Sequence, residues 1–105
     1  MKKRDKGMKY IREAMGRHQS HDWLCSKSVL ECADYLAVRE DCKIHFVKVT
    51  TLSAKELMTK FDDVPFNLNH CCLIVLVRLR GGGFRIWFKN TLGWAEVGKI
   101  DDILG

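Results

Sequence analysis

Apolar positions along the chain change period several times, and each change predicts an element. In "KGMKYIREAMG", residues 6–16, Met8, Ile11, Ala14 and Met15 recur at helical spacing, which predicts a short amphipathic helix ended by Gly16. Residues 17–28 carry no clear period. The stretch "SKSVLECADYLAV" then places Val29, Cys32, Ala33 and Leu36 on one helical face behind Ser28 as a cap, and predicts a second helix. In "KIHFVKVTT" the apolar residues Ile44, Phe46, Val47 and Val49, with threonines following, predict a strand of about six residues. Ser53 and Glu56 have the S-x-x-E spacing of a capping box, opening a helix through Leu57, Met58 and Phe61 that must stop before Pro65.

Two β-rich runs follow, "CCLIVLVRLR" and "FRIWFKN", separated by Gly81, Gly82 and Gly83. Glycine tolerates positive φ, so the runs predict an antiparallel hairpin. The first run is apolar on both faces, as a central strand covered on each side would be. Helix, irregular segment, strand, helix and hairpin in that order give an α+β class.

A chain of 105 residues supports one small domain. Its longest apolar run, residues 71–77, is far short of the roughly 20 residues that span a bilayer, and no apolar stretch follows the charged N-terminus. No membrane partner and no secretory signal are expected, which makes an intracellular setting with reduced thiols the default. Of the net charge of +5, all lies in residues 1–18, with seven Lys or Arg against Asp5 and Glu13; the remainder has 11 basic and 11 acidic residues. Such a basic arm attracts phosphates in a salt-dependent way, but Tyr10 is its one stacking platform and no nucleic-acid module follows, so nucleic acid is not the expected partner. The five cysteines, Cys25, Cys32, Cys42, Cys71 and Cys72, are odd in number and contain no C-x-x-C. His18, His21 and Cys25 form an H-x-x-H-x-x-x-C cluster without a partner pair, so no metal is expected, and no cofactor either. His18, His21 and His45 are read as surface or strand residues, and Trp87 and Phe88 as core aromatics.

The candidate chemistry lies between residues 69 and 100. An asparagine amide oxygen can hold a catalytic imidazole by accepting its ring N–H, and the hairpin could bring Asn90 toward His70. A turn centred on Arg80 sets the two opposite each other. One centred on Gly82 sets Ile74 opposite Asn90 and leaves His70 roughly 13 Å further along the strand. These residues resemble the papain-like cysteine peptidases, whose histidine region reads Asn-His-Ala-Val before an apolar strand, as "NHCCLIVLV" stands here. The family's asparagine region reads Lys-Asn-Ser-Trp-Gly and then Gly-Trp-Gly-Glu-Asn-Gly-Tyr-Ile, and "KNTLGWAEVGKI" is similar. The resemblance matches His70 to the catalytic histidine, Asn90 to the orienting asparagine, and Gly93, Trp94, Glu96, Gly98 and Ile100 to the structural tail. It extends more faintly over residues 7–104.

The resemblance implies a partial papain-like fold, an antiparallel β-lobe with flanking short helices over residues 7–105 behind a basic arm at 1–6. The family's Cys-Gly-Ser-Cys-Trp nucleophile segment and its oxyanion glutamine have no counterpart, and Leu92 replaces the tryptophan that shields the asparagine. Cys25, ahead of the expected second helix, is the candidate substitute nucleophile. The expectation is a truncated homologue of thiol peptidases without activity of its own, taking a peptide or protein substrate only where a separate lobe supplies the nucleophile. The alternative is a small basic interaction module for nucleic acid or an acidic protein.

Overall fold

The computed structural model describes residues 3–28, 30–41 and 43–104, with side chains described from residue 7 on. The elements are α1 (Lys3–Gln19), β1 (Leu24–Lys27), β2 (Tyr35–Val38), β3 (Ile44–Thr50), α2 (Lys55–Asp62), β4 (Cys72–Arg78), β5 (Phe84–Asn90), β6 (Gly93–Val97) and α3 (Asp101–Leu104). The six strands form one sheet in chain order, antiparallel throughout except for β3 and β4, which run parallel across the α2 crossover. The class is α+β.

Strand β4 holds the middle of the sheet because it is apolar on both sides. Ile74 and Leu76 join the layer under α1, Leu73 and Val75 the layer under α2, and all four are buried. Burying such a side chain is worth about 1.5–3 kcal/mol each, so this strand anchors both layers. Helix α1 lies on β1–β3 through Ile11, Ala14 and Met15, and α3 closes the same layer with Ile103 and Leu104. Helix α2 packs Phe61 on the opposite face beside β4. The β4–β5 hairpin turns where expected, with Gly82 at φ 106° and Gly83 at φ 79°, conformations in which a side chain is strained.

Three sequence expectations are corrected. The helix behind Ser28 does not form: Cys32, Ala33 and Leu36 lie in a turn and on β2, and Val29 falls outside the described residues, as does Cys42. Pairing decides this. Tyr35 and Ala37 point into the α1 layer while β2 is held between β1 and β3, and Ser28 Oγ accepts Leu30 N–H at 3.0 Å in a local turn. Gly16 does not end α1, because buried His18 continues the inward face for another turn and Ser20 N–H bonds to Gly16 O at 3.0 Å. Residues 3–6 belong to the same helix, and Met1 and Lys2 lie outside the described residues. The Ser53 capping box is also absent. Helix α2 begins at Lys55 after Ala54 with no side-chain cap, and Ser53 Oγ takes the Lys55 N–H at 3.4 Å.

Candidate functional site

The loop before β4 is a tight turn in which His70 N–H donates to Asn67 O at 3.0 Å and Asn69 N–H to Asn67 Oδ1 at 3.1 Å. It leaves His70 exposed. Asn90 ends β5, and its Oδ1 accepts Leu92 N–H at 2.9 Å, closing the short turn in which Asn90 pairs with Gly93. The β4–β5 register pairs Leu73 with Lys89 and Arg78 with Phe84, so the turn is centred on Gly81, between the two possibilities the sequence left open. Extended by one step, this register sets Cys72 opposite Asn90. His70 stands two positions further out, about 7 Å along the strand direction. No hydrogen bond joins His70 to Asn90 among the described residues, whereas a working pair needs contact at about 2.6–3.2 Å or through one water.

Another histidine occupies the row that contains Asn90. Cys25 pairs with Ala37, Ala37 with His45, and His45 with Cys72, which faces Asn90 by the same register. In-register residues share a face, so cysteine, histidine and asparagine line up across the α1 side of the sheet. Cys25 and His45 are nevertheless two strand spacings apart, about 9–10 Å, and Cys25 and the β4 position three, about 14 Å. Cys25 starts no helix. It sits on edge strand β1, where its thiol points to Met15 O at 3.7 Å.

His45 itself is committed inward. Its Nδ1 lies 3.1 Å from His18 Nε2, and His18 Nδ1 lies 2.9 Å from Tyr35 Oη. Between the two imidazoles one nitrogen must carry the proton and the other the lone pair, so their tautomers are linked. Trp23 stacks on His45 at 4.1 Å between ring centroids and donates its indole N–H to Leu104 O at 3.0 Å. The Arg39 guanidinium lies over the Trp23 ring, 4.7 Å from its centroid, and donates to the same carbonyl. His18 is 0% and His45 2% exposed.

Burial sets the charge of this cluster. Desolvation lowers His18 to about 4, partly offset by a hydrogen bond to the Ala14 backbone. His45 falls to about 3 through desolvation, then through His18, Arg39 and Lys43 nearby. Both rings are neutral at neutral pH. Burial pushes the Tyr35 hydroxyl up, and it likewise raises the thiols of Cys25, Cys32, Cys71 and Cys72, away from the thiolate form. The arrangement links Tyr35, His18 and His45 in one buried chain of hydrogen bonds between neutral groups, and it presents no activated nucleophile among the described residues.

The sequence assigns His18 and His45 to surface or strand and misses their burial. A signal exists: His18 follows Ala14 by four residues on the inward face of α1, and His45 precedes Val47 by two on the inward face of β3. The H-x-x-H-x-x-x-C cluster disperses. His18 turns to His45, His21 turns outward to Ser20 and to Asp101 at 3.4 Å, and among the described residues no three potential ligands converge. No family model matches the chain, and no curated protein matches it.

Proposed function

We propose that this chain is a non-catalytic homologue of papain-like cysteine peptidases, a domain that keeps the family's histidine and asparagine segment without a working nucleophile. The residue pattern from Asn69 to Ile100 supports the kinship, and the antiparallel pairing of β4 with β5 gives that pattern the strand–turn–strand setting it needs. The lack of activity rests on one observation. Every described thiol lies where burial disfavours the thiolate, and none is hydrogen-bonded by an imidazole.

Peptide hydrolysis needs the thiolate to attack the carbonyl, the imidazole to protonate the leaving amine, and an oxyanion donor. Loss of such a donor alone costs about 10²–10³ in turnover. Asn90 spends its amide oxygen on the β5–β6 turn, and His70 has no side-chain partner to orient it among the described residues. A peptide substrate is therefore taken only where a separate lobe brings the nucleophile. The test is hydrolysis of a fluorogenic peptide by the purified chain near neutral pH, together with labelling by a thiol-directed peptide inhibitor. Neither should exceed background. Hydrolysis abolished by both Cys25→Ala and His70→Ala would overturn the reading.

A further inference from the structure

We propose that the end of the molecule formed by the first half of α1, the β3–α2 loop and the β4–β5 turn docks on an anionic lipid surface, with cations on the lipid phosphates and Leu52 and Leu79 seated at the headgroup boundary. This surface is independent of the peptidase kinship. Two observations meet there, one of charge and one of exposed apolar area.

Cations on and beside the sheet are mostly neutralised at home. Arg39 pairs with Asp41, Lys48 with Asp34, Arg78 with Glu13, Arg85 with Glu96 and Lys89 with Asp62. By contrast Lys9 and Arg12 on α1 and Arg80 in the hairpin turn are exposed and have no carboxylate partner among the described residues, as is also the case for Arg17, Lys27, Lys55, Lys60 and Lys99 elsewhere; at this end such cations stand beside exposed leucines. Glu13, the described carboxylate of α1, is taken by Arg78 at 3.0 Å. Since residues 19–105 balance 11 basic against 11 acidic residues, the net charge of the chain is concentrated on α1.

Leu52 is 70% exposed and Leu79 44%, each on a loop, and both line one open groove with Gly7, Tyr10, Thr51 and Arg80. Met8, 47% exposed, follows Gly7. A polyanion without apolar parts would leave these leucines in water. A nucleic acid would also lack a base platform, because the Arg78 guanidinium covers the Tyr10 ring at 5.0 Å from its centroid. A bilayer surface uses both features, since apolar loop tips enter the headgroup and acyl boundary while each Lys or Arg near an anionic surface strengthens binding about fivefold.

The test is co-sedimentation of the full chain with phosphatidylcholine vesicles, with and without about 30% phosphatidylserine, at about 0.1 M and about 0.5 M salt. Binding is expected to the anionic vesicles at low salt only. The pair Leu52→Ala and Leu79→Ala should weaken it about tenfold, and Lys9→Glu with Arg80→Glu at least 25-fold, roughly fivefold for each charge. All sites are exposed, and circular dichroism verifies the fold. Leu24→Ala with Leu92→Ala, the exposed leucines of the opposite end, should leave binding unchanged. Absence of binding at low salt overturns the proposal. So does binding insensitive to the Leu52 and Leu79 changes, or equal binding to duplex DNA, either of which would mark plain polyanion attraction by α1.

Discussion

Acidification of the wild-type chain should destabilise it through the His18–His45 pair. Both groups have folded values below their ordinary 6.5, at about 4 and about 3, because burial disfavours the imidazolium. Their stabilising contribution is therefore complete above about pH 6.5 and is lost as pH falls toward the folded values, since the unfolded chain binds protons that the native pair refuses. Near pH 5 the unfolded state has gained almost two protons while the native state has gained almost none. Two protons over one and a half pH units, at about 1.4 kcal/mol per unit each, come to about 4 kcal/mol. A domain of this size has a total stability of about 5–15 kcal/mol, so the loss consumes a large share of it. The carboxylates held low by Lys89, Arg39 and Arg85, namely Asp62, Asp41 and Glu96, lose their contribution only further down in pH. The window from about pH 7 to about pH 5 thus isolates the histidines. Urea unfolding followed by tryptophan fluorescence suits the case, because Trp23 stacks on His45. The midpoint should fall steadily across that window. The double change His18→Leu, His45→Leu should flatten the slope whatever its stability near neutral pH. A flat wild-type profile would refute the buried, neutral pair.

Leu76→Ala should cost about 2–5 kcal/mol in urea unfolding, since the side chain is fully buried on the central strand and the layer under α1 cannot collapse around the gap. His70→Ala should change stability by less than about 0.5 kcal/mol, being exposed and without a side-chain partner among the described residues. Asn90→Ala should cost about 1 kcal/mol by freeing the Leu92 N–H, so thermal unfolding of the two variants side by side separates a turn asparagine from a catalytic couple.

Elements whose pattern is carried by their own residues are legible in the sequence alone. The alternation in β3, the apolar run of β4, the three glycines after it and the stop of α2 ahead of Pro65 each express a local steric or solvation preference. They suffice for the α+β class and for the hairpin. The short segment after Ser28 is not legible, because Cys32, Ala33 and Leu36 satisfy a helical period and Tyr35 to Val38 satisfy a strand period equally well. Hydrogen bonds to β1 and β3, distant in sequence, decide between them. Strand β6 is hidden for the same reason, since Gly93–Val97 acquires its ladder from β5.

The candidate site divides along the same line. Sequence by itself established which residue types were present, five cysteines, four histidines and Asn90 among them, and the order in which they occur. Tertiary structure decided which of them meet. A hairpin centred on Gly81 and a parallel β3–β4 pair place His45, not His70, in the row with Cys72 and Asn90. Helix α1 then engages that imidazole by bringing His18 Nε2 to within 3.1 Å of its Nδ1. Side-chain chemistry is written locally, but distance between side chains is a property of register and packing, and a shift of a single residue in either moves a group to the opposite face.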